Sequence, residues 1–175
     1  MKKVMILVFA AVMMSSFAAA QAGNTATGTL AVTANVTSSI NLVFNTSTGG
    51  VTLGAPNTSA SSLAFGTVQA FGGVLATGVT RTIGASNFTV SSPVDVIVTK
   101  ANSTSANYTL TAQLAAADAT NTWTVGGVTV TSGAAAPVTT SGAYGTTTFP
   151  VAIQIPLTGP AGSISNTITY TATSN

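Results

Sequence analysis

Residues 94–114 read VDVIVTKANSTSANYTLTAQL, and this stretch alternates apolar and polar residues on both sides of a polar centre. The apolar residues of the first half are Val94, Val96 and Val98, and those of the second half are Tyr108, Leu110, Ala112 and Leu114. A repeat of two residues is typical of a β-strand that buries one face. The stretch therefore predicts two strands joined by a turn over residues 101–106.

The same alternation continues outward from this pair of strands toward both ends of the chain. Candidate strands cover residues 28–36, 40–44, 149–157 and 164–173, with shorter apolar runs at 51–53, 63–68, 79–83, 88–90, 122–125 and 128–131. Clusters of Gly, Pro, Asn and Ser between them are typical of turns. Strands separated by turns in this way predict an all-β protein, built as a single β-sandwich domain. An outer-membrane barrel is the alternative, which the scarce aromatic residues and the irregular set of strands disfavour.

Local features refine this prediction. Gly126-Gly127 stands between two apolar runs, and a pair of glycines suits the positive φ angles of a two-residue hairpin turn. Pro150 and Pro156 predict an edge position or strand ends, because proline cannot donate a hydrogen bond to a neighbouring strand. We expect two sets of residues to be buried on facing sheets: Val94, Val96 and Val98, and Phe149, Val151, Ile153 and Ile155.

The N-terminus has the pattern of a secretory signal peptide. Lys2 and Lys3 precede an apolar run over residues 4–14, and Ala20-Gln21-Ala22 fits a cleavage site of small residues. We expect residues 1–22 to be removed and residues 23–175 to form the domain, with cleavage after Ala20 as the alternative. The protein is then secreted.

The remaining chain is almost free of ionisable side chains. Its charged residues are Arg81, Asp95, Lys100 and Asp118, and it has no histidine, cysteine or glutamate. General acid–base catalysis and metal binding draw on those residue types, so we expect no catalytic site, no metal site and no cofactor. The two positive and two negative side chains balance, which disfavours a nucleic-acid partner.

Several segments resemble the pilins of the archaic chaperone–usher class, which share the spore-coat-protein-U type of domain. They are the alternating segment 28–36 after the leader, Leu63-Ala64-Phe65-Gly66, the strand entry at residues 92–96, and the alternating end of the chain at residues 167–173. The resemblance covers most of the chain after the leader. It implies an immunoglobulin-like sandwich that lacks its last strand, which the N-terminal segment of a neighbouring subunit supplies.

Under this resemblance the chain is a structural subunit of a surface fibre, with a role in adhesion or biofilm formation. Its partners are identical or related subunits, a periplasmic chaperone and an outer-membrane usher. Candidate donor-strand residues, which would fill a neighbour's core, are Leu30, Val32, Ala34 and Val36. Alternatively, these residues form the domain's own first strand, since both roles require the same alternation.

A second hypothesis for function is a surface-exposed β-sandwich that binds carbohydrate or a host partner. In that case Trp123 and Tyr144 would present their rings to a sugar, although a buried tryptophan beside a hairpin is the commoner arrangement.

Overall fold

The computed structural model describes residues 27–175. Residues 36–175 form one compact unit, and residues 27–35 are described separately from it. The predicted signal peptide and both predicted cleavage sites lie outside the described residues.

Nine β-strands build the compact unit, and the described residues contain no helix. In chain order the strands are β1 (Ser39–Thr46), β2 (Thr80–Ile83), β3 (Asn87–Ala101), β4 (Asn107–Leu114), β5 (Thr122–Val125), β6 (Val128–Val130), β7 (Ala136–Ala143), β8 (Gly145–Pro156) and β9 (Ile168–Ser174). Burial alternates residue by residue through β4 and most of β3, as the sequence predicted.

The strands form two antiparallel sheets. The large sheet has the order β1-β3-β8-β5-β6. On the same side of β3 as β1, β2 pairs with the start of β3, whereas β1 pairs with its second half. The small sheet has the order β7-β4-β9. Side chains of both sheets share the core, for example Val90 with Leu114 and Val98 with Tyr108. The predicted all-β sandwich is therefore confirmed.

The predicted core residues lie inside, but their arrangement differs from the prediction. Val94, Val96 and Val98 are buried, as are Val151 and Ile153, whereas Phe149 and Ile155 are half-buried. The prediction of facing sheets is wrong, because β3 and β8 are neighbours in the large sheet. In the core, Val96 and Val98 share a cluster with Tyr108 and Leu110 of β4 in the small sheet. A period of two fixes which face a residue occupies and carries no information about which strand lies beside it.

The two prolines of β8 behave differently. Pro156 ends the strand, as predicted, whereas Pro150 lies inside a central strand, so the predicted edge position is wrong for it. Pro150 stands opposite Pro93 of β3. In an antiparallel ladder, every second pair of facing residues exchanges no hydrogen bonds. Two prolines that face each other at such a position therefore remove no hydrogen bond from the ladder. On its other side, the Pro150 carbonyl accepts from the Gly126 amide at 2.8 Å, where β5 has ended.

The glycine hairpin is confirmed, since Gly126 and Gly127 have φ angles of +59° and +81° between β5 and β6. Three predicted strands are absent from the described residues: 28–36, 51–53 and 63–68 form no strand. One strand was missed, because β7 consists of Ala, Gly, Pro, Ser and Thr around a single valine.

Candidate strand-binding groove

A groove of about 740 Å³ with an apolar floor and partly polar walls opens between the two sheets, and no charged side chain lines it. Its floor belongs to the large sheet. One wall is the segment 61–68, which we call the strap, and the other is the segment 162–167 before β9, which we call the shelf. The floor residues are Val90, Val94, Trp123, Val151 and Ile153.

Neighbouring strands of the large sheet place the floor side chains together. Ile153 of β8 stands between Val90 of β3 and Trp123 of β5 as their cross-strand partner. At the floor's edge, the rings of Phe44 and Tyr170 meet edge to face with centroids 5.0 Å apart. Burial raises the pKa of the Tyr170 phenol far above its usual value, so this ring stays neutral at physiological pH.

The strap lies over the floor in an extended conformation without being a strand. Leu63 and Phe65 are half-buried and pack against the core, whereas Ala64 between them is exposed. Within the described part of the chain, the strap has one backbone pairing, at Ser62, which exchanges hydrogen bonds of 2.9 and 3.1 Å with Gly54. Residues 63–68 form no backbone hydrogen bond with any other described residue.

The shelf also carries unpaired backbone. Residues 162–166 form no backbone-to-backbone hydrogen bond within the described part of the chain, and Thr167 accepts one from Ala115 at 2.8 Å. Beyond the shelf, β9 pairs with β4 along one edge, and none of the described strands pairs with its other edge. An apolar groove beside unpaired backbone is the arrangement that accepts an added strand.

The predicted donor residues are all exposed. Leu30, Val32 and Val36 are 87%, 82% and 68% exposed, and Ala34 is exposed as well. Residues 27–38 form no strand, and the first strand of the domain is β1. The alternative that residues 28–36 are the domain's own first strand is therefore wrong for this structure.

The aromatic residues considered for sugar binding do not form a stacking surface. Trp123 is 6% exposed, and its indole Nε1 donates to Asp118 Oδ2 at 2.8 Å. The ring of Tyr144 is half-buried, and the ammonium of Lys100 lies 4.8 Å from its centroid. The Tyr144 hydroxyl donates to the Asn107 carbonyl at 3.3 Å.

Asp118 organises the turn before β5. Its carboxylate accepts from the amides of Thr120 and Asn121 at 3.0 and 2.9 Å, and also from the Asn121 and Trp123 side chains. Burial raises the pKa of this carboxyl, but the hydrogen bonds together outweigh it and lower the pKa to about 2. Asp95, in contrast, accepts a single side-chain hydrogen bond, from Thr148 at 2.5 Å. Within the described residues, no cluster of His, Cys, Asp or Glu could hold a metal ion.

Sequence reasoning did not identify the groove. Its one signal was Leu63-Ala64-Phe65-Gly66 in the strap, which carried part of the resemblance to archaic pilins.

Comparison with protein-family models, with curated proteins and with solved structures finds no match to this chain. In the described residues there is also no helix of the length and apolarity needed to cross a membrane.

Proposed function

We propose that this chain is a secreted structural subunit of a surface fibre that assembles by β-strand addition. Residues 28–36 of one copy enter the groove of the next copy and complete its sandwich. The observation that carries the proposal is the uncharged groove between the sheets, with unpaired backbone along both of its walls.

The dimensions of the donor segment suit this role. Leu30 and Val36 are six residues apart, which is about 20 Å in an extended chain. The seven residues of β9 span a similar length, so the segment can run along the free edge of this strand. Side chains at every second position then point toward the groove, and those between them point outward.

The donor segment and the groove also match in charge and in apolar character. Residues 28–36 carry no charge, and the groove is lined by uncharged residues. Leu30, Val32 and Val36 are exposed in the free subunit, and burying each of them fully is worth about 1.5–3 kcal/mol. Backbone hydrogen bonds to the unpaired shelf and to the free edge of β9 provide the directional part of the interaction.

The rest of the proposal follows from this mode of assembly. A subunit with an open groove needs protection during export, which is the role of a periplasmic chaperone, and an usher then orders the addition of subunits. The fibre serves adhesion or biofilm formation, and the sandwich is immunoglobulin-like with its last strand missing. Carbohydrate binding receives less support, because Trp123 is buried and Tyr144 lies against Lys100.

The substitution Val32→Asp tests the proposal. It places a carboxylate in an apolar groove without a basic partner, and such burial costs several kcal/mol. We expect purified Val32→Asp subunits to form no oligomer ladder on non-denaturing gels, whereas Thr33→Asp subunits, whose carboxylate points outward, polymerise like the unaltered chain.

The free subunits provide the control for folding. Residues 32 and 33 are both exposed, so neither substitution should change the unfolding midpoint of the monomer measured by circular dichroism. Polymerisation by Val32→Asp would refute the donor role of this segment. Loss of ladders in both variants would show a general effect of charge. It would equally count against an insertion in which residue 32 faces the groove and residue 33 faces outward.

A further inference from the structure

The strap resembles the donor segment in sequence. It reads Ser61-Ser62-Leu63-Ala64-Phe65, and the donor reads Gly28-Thr29-Leu30-Ala31-Val32. Each has two small residues followed by Leu, Ala and a larger apolar residue. In an extended chain both therefore offer two apolar side chains to one face, separated by an alanine that points away.

The strap already uses this pattern on its own subunit. The floor residues Val90 and Trp123 are 0% and 6% exposed, although they line the groove. Leu63 and Phe65 pack against the same core cluster as these two residues. The strap thus shields a floor that an incoming strand has to reach.

We propose that the strap plugs the groove of the unassembled subunit and is displaced when a second copy of the chain inserts its donor segment. Leu63 and Phe65 occupy the sites that Leu30 and Val32 of the incoming copy take in the fibre. This inference rests on the proposed function and adds a regulatory step to it, because only the fraction of subunits with an open strap can accept a donor.

The strap is held in a way that allows this displacement. Residues 63–68 have no backbone hydrogen bonds to other described residues, so their release breaks apolar contacts alone. Gly66 has a φ of +69°, a conformation that glycine adopts without strain, and it provides a bend within the strap. Displacement of the whole strap also breaks the two hydrogen bonds between Ser62 and Gly54 at its start.

The direction in which one substitution changes the rate of peptide uptake distinguishes a displaceable plug from a permanent wall. The full-length Val32→Asp chain serves as an acceptor that does not polymerise, and a synthetic peptide of residues 27–38 serves as the donor. Trp123 is the single tryptophan of the chain and lines the groove, so its emission reports occupancy. Adding Phe65→Ala should raise the rate of peptide uptake by about tenfold, because the open form becomes more populated. Val74→Ala, which shortens an apolar side chain that is 97% exposed and lies outside the groove lining, should leave the rate unchanged.

A disulfide provides an independent test that does not weaken the core. A Cβ added at Gly54 would lie 3.7 Å from the Cβ of Ser62, which is within the range of disulfide-bonded pairs. The chain has no other cysteine, so Gly54→Cys with Ser62→Cys pins the strap when oxidised and frees it when reduced. We expect uptake of the peptide to fall at least tenfold on oxidation and to recover in reductant.

The outcomes separate this inference from the proposed function. Equal uptake by the oxidised and reduced forms, or slower uptake by Phe65→Ala, would overturn the plug and leave strand addition intact. Absence of uptake by every acceptor, the reduced form included, would overturn the proposed function and the plug together.

Discussion

Replacing Ile153 by Ala should lower the free energy of unfolding of the Val32→Asp monomer by about 2–3 kcal/mol. Ile153 is 6% exposed and stands between Val90 and Trp123 in the large sheet. The substitution removes three carbon atoms, worth about 0.8 kcal/mol each, or about 2.4 kcal/mol in total. The non-polymerising background is needed because assembly would otherwise add to the apparent stability.

A closed cavity would add to this cost, at about 24 cal/mol for each Å³ left empty. Ile153 lines the groove, so the space it leaves joins an existing opening and the added cost stays small. Leu110 in β4 provides the comparison, since it is 0% exposed and does not line the groove. Leu110→Ala should therefore cost more, about 3–5 kcal/mol.

Urea unfolding followed by circular dichroism measures both values, because tryptophan emission would respond directly to the loss of Ile153. A cost below about half a kcal/mol for Ile153→Ala would place β8 at the surface and refute the burial argument. A larger loss for Ile153→Ala than for Leu110→Ala would refute the reasoning that this side chain borders an open groove.

Two further predictions concern the small sheet and the turn before β5. Gly142→Ala should destabilise the monomer by about 1–3 kcal/mol, because the added Cβ would lie 2.6 Å from Cζ of the buried Tyr108 ring, whereas Gly133→Ala, whose nearest neighbour is 4.0 Å away, should have little effect on the urea midpoint. Asp118 has a folded-state pKa of about 2, below the ordinary 3.8, so its contribution to stability is present above pH 4 and disappears as the pH falls toward 2. The melting temperature of Asp118→Asn should therefore lie below that of the unaltered chain at pH 6 and converge with it near pH 2; a gap that stays constant with pH would show that the carboxylate charge is not involved.

Strand periodicity predicted the fold class because a β-sandwich needs little more than alternating burial and turns. Val94, Val96 and Val98 lie in the core as predicted, and Gly126-Gly127 forms the predicted hairpin. The identity of neighbouring strands was not predictable in the same way. The pairing of β3 with β8 depends on a register between distant segments, and the pattern of either strand alone is compatible with several partners.

The groove was not predicted from the sequence pattern, for a related reason. Leu63 and Phe65 have strand-like alternation, and the sequence predicted a short strand there. The structure keeps the burial pattern but omits the backbone pairing, since only Ser62 finds a partner. β7 shows the opposite case, because its backbone pairs with β4 although its small side chains give almost no hydrophobic signal.

The ladder between β3 and β8 has a consequence for the time the chain takes to fold. It is the longest pairing among the described strands, with twelve residue pairs that lie between 47 and 69 positions apart in sequence. Closing such large loops before any contact is gained slows the search for the native topology, and sandwiches of this kind fold in milliseconds to seconds. During that interval a chain with only six charged side chains exposes segments as long as the 15 residues of β3, which promotes aggregation. The topology therefore makes folding itself the period in which aggregation is the greatest risk.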